Sequence, residues 1–484
     1  MVRHRLGFCF YLASGLLAAV LLLARQALPF SWLGSISLVP ASFAVVILQA
    51  SGSRLKQAGI NALGFCLGLA WGGCRFWGWE RREPPAPGVP VEAVSAYQGF
   101  LSEDSTAAAS GQTFYRLSLR EVSSRGLGVT VRARGRVEVR IPQGPKLFQG
   151  QAVRVEGALI PLPRGPGAPP LSCFAGAQQL CARGFSSPLL EWRAAIRRRL
   201  DLRLARLERP AGGLLAALLA GDRGGITAEA MDGFRLSGSL HVLALSGLHL
   251  GILFSGCSLL LGLLPLRGLR FPLGALLMLS YLFLVGSRPS LLRAVIMLLA
   301  GGLAELLDRD REPLNILALS GLLILFLDPP EAFSLSFQLS YLALLGILFI
   351  GGPLGRAFQP FLPGFLRAPL AFSLGAQIAT APLQAMSFGV LYPAGVLAAV
   401  PIVALVTGYI WTGLAYLACG ALELGWGEEA CAWMLSHLYR LLLSFLNAFS
   451  RFPVLRPGTA ALPWVLLAAL VLPLLALQRR RSPA

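Results

Sequence analysis

Lysine is almost missing from this chain. Of its 42 basic side chains only Lys56 and Lys146 are lysines, and histidine occurs four times in 484 residues. Acidic residues number 23, and all charged residues together make up 13%. A soluble domain carries roughly twice that charged fraction to cover its surface, so an ordinary soluble protein is excluded. No C-x-x-C pair and no Cys/His run of zinc-binding spacing occurs, so neither a metal nor a cofactor is implied. The phosphate loop G-x-x-x-x-G-K-[ST] is absent as well, which excludes nucleotide hydrolysis by that route. There is no soluble repeat, coiled coil or disordered tail.

What is present is apolar. Hydrophobic residues make up 55% of the chain and the mean hydropathy is +0.66. Runs of about 20 apolar residues, the length that crosses a bilayer, recur along most of it. These features predict a polytopic α-helical membrane protein of about 11–12 spans. The first three spans are Leu6–Ala24, Trp32–Gln49 and Gln57–Trp77, within a segment 1–79. No A-x-A-like cleavage site follows the first, and two apolar runs come directly after it, so it reads as a retained span. Arg3 and Arg5 before it, and Arg54 and Lys56 between the second and third, place the N-terminus in the cytoplasm. The net charge of +19 exceeds what so sparse a charge set needs. Part of it reflects positive-inside topology, and the remainder is available to an anionic partner.

Residues 80–188 differ in kind. Pro84, Pro85, Pro87 and Pro90 form a linker, and no run of spanning length follows for roughly a hundred residues. Short alternating stretches such as Phe114–Leu119, Gly128–Arg134, Arg136–Ile141 and Ala152–Gly157 predict β-strands with one wet face. Several short strands in so small a region suggest an extracytoplasmic barrel, an OB-fold being one form. The wet face carries Arg116, Arg120, Arg132, Arg134, Arg136, Arg140 and Arg154, with Phe114 and Tyr115 nearby. That pattern fits either a single-strand nucleic-acid platform or a solvated arginine-rich sheet. Cys173 and Cys181, alone among the eight cysteines in lying in this polar segment, are a disulfide candidate.

Residues 189–210 interleave Arg193, Arg197, Arg198, Arg199, Arg203, Arg206 and Arg209 with Trp192, Ile196, Leu200, Leu204 and Leu207. This spacing predicts a basic amphipathic helix lying on the membrane surface. Residues 211–450 then read as a membrane domain, with spans near 240–265, 271–287, 290–307, 314–328, 334–351, 370–391, 394–420 and 431–449. A last span near 460–477 and a basic tail occupy 451–484. The segment 431–449 contains His437 and Arg440, so it either crosses or lies at the interface, which decides the side of the C-terminus.

Ionisable and polar side chains at membrane depth mark a pathway or a site. They cluster here as Asp222 and Arg223, then His241, Ser246 and His249, then Arg288 and Arg293 about Pro289. Gln338, Ser340, Gln377 and Gln384 follow. Eight residues of continuous helix would separate His241 from His249 by about 12 Å, too far for one metal's ligand shell. Ser246 and His249 stand three residues apart, the spacing of an intramembrane Ser/His hydrolase or of simple helix packing. Gly247 and Gly251 suggest close packing of helices. A polar lining for a conduit needs neither catalysis nor coordination, and the pattern fits that best.

The succession Leu218–Arg223, Ser237–Gly251, Arg293-Ala294, Asp328-Pro329 and Phe337–Ser340 resembles the core of the ComEC family in order and spacing. That family comprises inner-membrane channels of bacterial competence. The resemblance implies transport of single-stranded DNA across the cytoplasmic membrane, with an OB-like extracytoplasmic domain. It implies that His241, Ser246, Gly247 and His249 help form the conducting core; beyond the resemblance, Gly247 and Gly251 are expected to allow close packing there, and Asp222 and Arg223 to sit near its entrance as an ion pair or gate. The expected partners are a DNA receptor outside and a separate nuclease; with no phosphate loop in the chain, the work of drawing in a polyanion is expected from a cytoplasmic motor, a strand-binding protein or proton coupling. Many family members carry a C-terminal metallo-β-lactamase-like domain. Nothing here matches it, so the expected form lacks that domain and is not itself an enzyme. A small-solute secondary transporter and an intramembrane hydrolase are the alternatives to the channel.

Overall fold

The computed structural model describes residues 94–107, 112–124, 130–133, 135–157, 159–161, 171–245, 247–262, 269–286, 288–308, 311–328, 331–332 and 334–456. The three N-terminal spans, the proline linker, Arg134, Ser246 and the span at 460–477 with its basic tail lie outside these residues. The chain forms two compact units, residues 1–195 with 253–337, and residues 196–252 with 338–484.

The first unit begins with nine strands in one sheet. They are β1 (Val94–Leu101), β2 (Thr106–Ala107), β3 (Gln112–Ser124), β4 (Thr130–Arg132), β5 (Arg136–Pro142), β6 (Gln151–Glu156), β7 (Ile160–Pro161), β8 (Leu171–Phe174) and β9 (Leu180–Phe185). Alternation buries one side of each long strand: Tyr97, Tyr115, Leu117, Val137, Val139, Ile141, Val153, Val155 and Cys173 form its core. Burying each such side chain contributes about 1.5–3 kcal/mol, which fixes the register. The path of pairing runs β7-β8-β5-β3-β1-β6-β9. Strands β8 and β9, near its two ends, are halves of one segment broken by a 3-10 turn at Ala177–Gln179. The first half pairs with β5 in parallel and the second with β6 in antiparallel fashion. Gly99 sits at a register shift against β3, where a Cβ would lie 2.3 Å from the Ser118 carbonyl oxygen.

Two expectations for this domain are corrected. Tyr115 does not lie on the wet face: it is 0% exposed, and its hydroxyl donates to the Pro145 carbonyl at 2.6 Å. The alternation of β3 turns odd-numbered residues inward, so Phe114 and Arg116 face out while Tyr115 cannot. Cys173 and Cys181 do not form a disulfide. Cys173 is buried in the same core as Tyr97, while Cys181 is exposed beside Arg154. The break between β8 and β9 sets the two thiols on different sides.

Helix α1 (Pro188–Leu204) leads out of the β domain. Its arginines do not all seek solvent or lipid, as the amphipathic pattern predicts. Arg193 and Arg197 are buried, whereas Leu189, Trp192 and Leu202 are exposed. Both arginines have polar partners that the heptad-like spacing does not reveal: Arg193 meets Asp104 and the Phe283 carbonyl, and Arg197 the Ala220 carbonyl.

Three helices complete the first unit with part of α4: α5 (Arg270–Val285), α6 (Pro289–Leu306) and α7 (Pro313–Leu327). Before them come α2 (Arg209–Ala220), α3 (Ala228–Leu236) and α4 (Gly247–Gly262). Pro210, Pro289 and Pro313 stand at helix starts, where the missing N–H would have had no partner. The sequence continues with α8 (Leu335–Gly346), a π turn at Ile347–Gly351, α9 (Gly352–Ala357) and α10 (Gly364–Phe388). Helices α11 (Gly395–Ala421) and α12 (Gly425–Ser450) close the described chain. In the second unit α11 packs on α2, α10 and α12, and α12 packs on α3. Buried anchors tie these together: the Tyr409 hydroxyl donates to the Ala211 carbonyl at 2.7 Å, and Thr227 meets Tyr439 at 3.1 Å. Two stretches, Leu335–Ala357 and Gly395–Ala421, are long and apolar enough to cross a membrane.

Candidate functional site

The Ser237–His249 stretch is not a continuous span. Helix α3 ends at Leu236, and Gly238 adopts the left-handed conformation (φ 74°). A 3-10 turn, Leu240–Leu243, follows, and α4 starts only at Gly247. The expected span over 240–265 therefore loses about its first two turns. The two glycines and the serines interrupt backbone hydrogen bonding where apolar content alone suggests a helix. His241 consequently stands exposed on the 3-10 turn, whereas His249, in the first turn of α4, is 1% exposed. Gly251 is corrected too: it is exposed, and a Cβ there would meet nothing within 4 Å. Gly238 is the position of close approach instead. A Cβ on it would lie 2.8 Å from Tyr392 Cβ and 3.1 Å from Gly395 Cα.

This turn connects to α10 through that same tyrosine. Gln377 Nε2 donates to the Tyr392 carbonyl at 3.1 Å. One turn further along, Thr380 Oγ1 donates to the Ala376 carbonyl at 2.8 Å and accepts from Gln384 Nε2 at 2.8 Å. Gln377, Thr380 and Gln384 share one face of α10, so neutral donors and acceptors run along it, while Pro382 stands on the opposite side of the helix. Thr380 went unnoticed in the sequence because a lone threonine in an apolar run is ordinary. Its spacing of three and four from the two glutamines is the available signal.

In the first unit Arg288 precedes α6, and its carbonyl accepts the Leu291 and Leu292 N–H groups. Arg293, one turn inside α6, is 4% exposed. Its charge acts on Glu331, a carboxylate that sequence reading overlooked, on the connection between α7 and α8. Burial raises the Glu331 pKa above its ordinary value, against the opposing effects of the Ser334 hydroxyl and Arg293. Ser334 donates to Glu331 at 2.5 Å and accepts the Phe337 N–H at 3.1 Å, fixing the start of α8. Gln338 and Ser340 follow in α8, each half-buried. In the second unit Asp222 accepts the Gly224 N–H at 3.1 Å, and Arg223 is exposed on the same loop. The structure brings Gln377 to the Ser237–Ser239 turn, while Asp222 and Arg223 sit on a loop of their own. Ser246, on which the hydrolase reading rests, lies outside the described residues.

The wet face of the β domain is less basic than its arginines suggest. Arg116 pairs with Glu103 at 2.6 Å and approaches Glu138 at 3.8 Å, and Arg140 pairs with Glu138 at 2.9 Å. The register explains it: Arg116 faces Glu138 across β3 and β5, and Arg132 faces Glu121 across β3 and β4. Arg120 lies over the Phe100 ring at 4.8 Å and Arg140 over Phe114 at 5.4 Å. Arg132 and Arg136 are exposed and Arg154 half-exposed. A small cleft of about 200 Å³ opens beside them, lined by Glu103, Asp104, Thr106, Phe114, Arg116 and Glu138. The face combines half-buried aromatic rings and guanidinium groups with alternating carboxylates. Among the described residues no group of three or more His, Cys, Asp or Glu is placed to hold a metal ion.

Fold and site together define a helix-rich protein with helices of membrane-spanning length, a β domain on its N-terminal side, and a partly buried row of neutral polar groups on α10. The competence protein family model matches residues 218–482, more than half of the chain, and the chain belongs to that family. An uncharacterized protein of Aquifex aeolicus (strain VF5) is 37% identical over 184 residues, 38% of this chain and 42% of that protein. ComE operon protein 3 of Bacillus subtilis (strain 168) is 35% identical over 133 residues, 27% of this chain and 17% of that protein. The chain spans less than half the length of either of these curated relatives. No solved structure matches it.

Proposed function

We propose that this chain conducts single-stranded DNA across the cytoplasmic membrane during natural transformation, as a multi-pass protein with a cytoplasmic N-terminus. The observation that carries the reading is the family match over 218–482, which contains the Ser237–Ser239 turn and the polar face of α10. Neutral amides and hydroxyls suit a moving polyanion. They hydrogen-bond to phosphate and base edges without the deep electrostatic wells that fixed cations would create. No catalytic step is assigned to this chain.

The β domain acts as an OB-like receiving surface. Its pairing supports that label: β1 lies between β3 and β6, and β5 runs parallel to β8. Arg132, Arg136, Arg154 and Phe114 contact the strand, and the interleaved carboxylates keep the contact weak and salt-sensitive. Drawing a polyanion inward against a negative-inside potential requires work for every charge. A cytoplasmic motor or strand-binding protein supplies it, and a receptor outside and a separate nuclease deliver the strand. The test is uptake of labelled DNA into a nuclease-protected cytoplasmic pool. A gene deletion should leave DNA bound outside with none inside. The double variant Gln377→Ala, Gln384→Ala should reduce uptake at least fivefold with membrane levels unchanged. Undiminished uptake in the deletion, with no paralogue to substitute, refutes the reading.

A further inference from the structure

Arg193 is the largest fully buried side chain described, at 0% exposure, and its surroundings come from three parts of the first unit. Its two terminal nitrogens donate to both carboxylate oxygens of Asp104, at 2.7 and 2.8 Å. Asp104 lies on the connection between β1 and β2 and also accepts the Gln149 N–H at 2.9 Å, from the turn before β6. The third contact is different in kind. Arg193 Nε donates to the Phe283 carbonyl at 2.6 Å, in the last turn of α5. Carbonyls there have no helical N–H partner and form the negative end of the helix dipole, so a guanidinium satisfies both needs at once. Gly286 ends α5 with φ 95°, a conformation that favours glycine, and its Cβ position stands at ordinary contact distance, 3.4 Å, from an Arg193 terminal nitrogen. At its other side the start of α1 is stitched to the β domain, with Ser186 N–H donating to the Gly150 carbonyl at 2.8 Å.

We propose that Arg193 is a positioning residue: it joins the β domain to the end of α5, making the domain a fixed extension of that helix instead of a tethered module. The functional part of this inference rests on the DNA-conduit reading, since a receiving surface must stay in line with the helices it feeds. Only arginine fits the place. Its planar fork engages two carboxylate oxygens while Nε reaches a third acceptor, a geometry one ammonium cannot reproduce. Removing either partner leaves a buried charge uncompensated, so the joint should open and not merely weaken.

The experiment is hydrogen exchange of the full chain in lipid nanodiscs, comparing wild type with Arg193→Lys and Asp104→Asn. In both variants, amides of residues 102–106, 147–150 and 280–286 should exchange at least tenfold faster, while strand residues 115–122 in the core of the β domain keep their protection. DNA uptake by the same variants should fall at least fivefold. Unchanged exchange at 280–286 in both variants overturns the joint. Loss of protection at 115–122 along with the rest also overturns it, because the pair is then a folding element of the β domain. If the wild type itself takes up no DNA, the conduit reading fails and the joint is judged on exchange alone.

Discussion

Two glycines in the Ser237–Gly251 motif look alike in the sequence and should behave oppositely when replaced by alanine. Gly238 has φ 74°, and its Cβ position lies 2.8 Å from Tyr392 Cβ. A left-handed backbone costs a Cβ-bearing residue about 1–2 kcal/mol. Forcing an added methyl into a packed contact costs a further ~1–3 kcal/mol. Gly251 lies within α4, and an added Cβ there meets nothing within 4 Å. Alanine there should gain up to about 1 kcal/mol of helix propensity. The two variants should therefore differ by at least about 2 kcal/mol, roughly thirtyfold in the unfolding equilibrium. Equilibrium unfolding of the full chain in mixed micelles, followed by far-ultraviolet circular dichroism, measures this difference. Gly238→Ala should also impair DNA uptake, because the turn rests on Tyr392, whose carbonyl holds Gln377. Equal stability of the two variants would refute the packing argument, and a less stable Gly251→Ala would reverse it.

Two further predictions concern the β domain. Under native conditions a water-soluble maleimide should label Cys181 and leave Cys173 untouched, with no mass loss from a disulfide. Burial pushes the Cys173 thiol pKa up, so raising the pH from 7 to 9 should not unmask it, and labelling before unfolding would contradict its core position. Tyr115→Phe should lower stability by about 0.5–1.5 kcal/mol through loss of the bond to Pro145, yet leave single-stranded DNA binding unchanged, whereas Arg136→Ala should weaken binding and flatten its salt dependence. Burial raises the Tyr115 pKa from 10.0 to about 12. The unfolded chain therefore releases this proton first, and stability from this residue is lost as the pH rises from 10 toward 12, which absorbance of tyrosinate would follow.

The sequence by itself determined the elements and their class. The long apolar runs form helices, and α5, α6, α7, α10 and α11 lie where those runs predict; of these only α11 has both the length and the hydropathy to cross a membrane. Period-two alternation likewise placed β3, β5 and β6, since a one-residue shift would turn their valines outward. What the pattern could not carry was the identity of distant partners. The arginines of α1 read as a snorkelling face because periodicity records which residues share a side, not what that side meets. Asp104, 89 residues earlier, makes one of them the most buried cation described. The arginines of the sheet lost much of their charge to Glu103 and Glu138 through strand register and loop closure, which composition does not contain. Gly238 and Gly251 differ for the same reason: both lack a Cβ, and only the fold decides which of them has a neighbour where that Cβ would be.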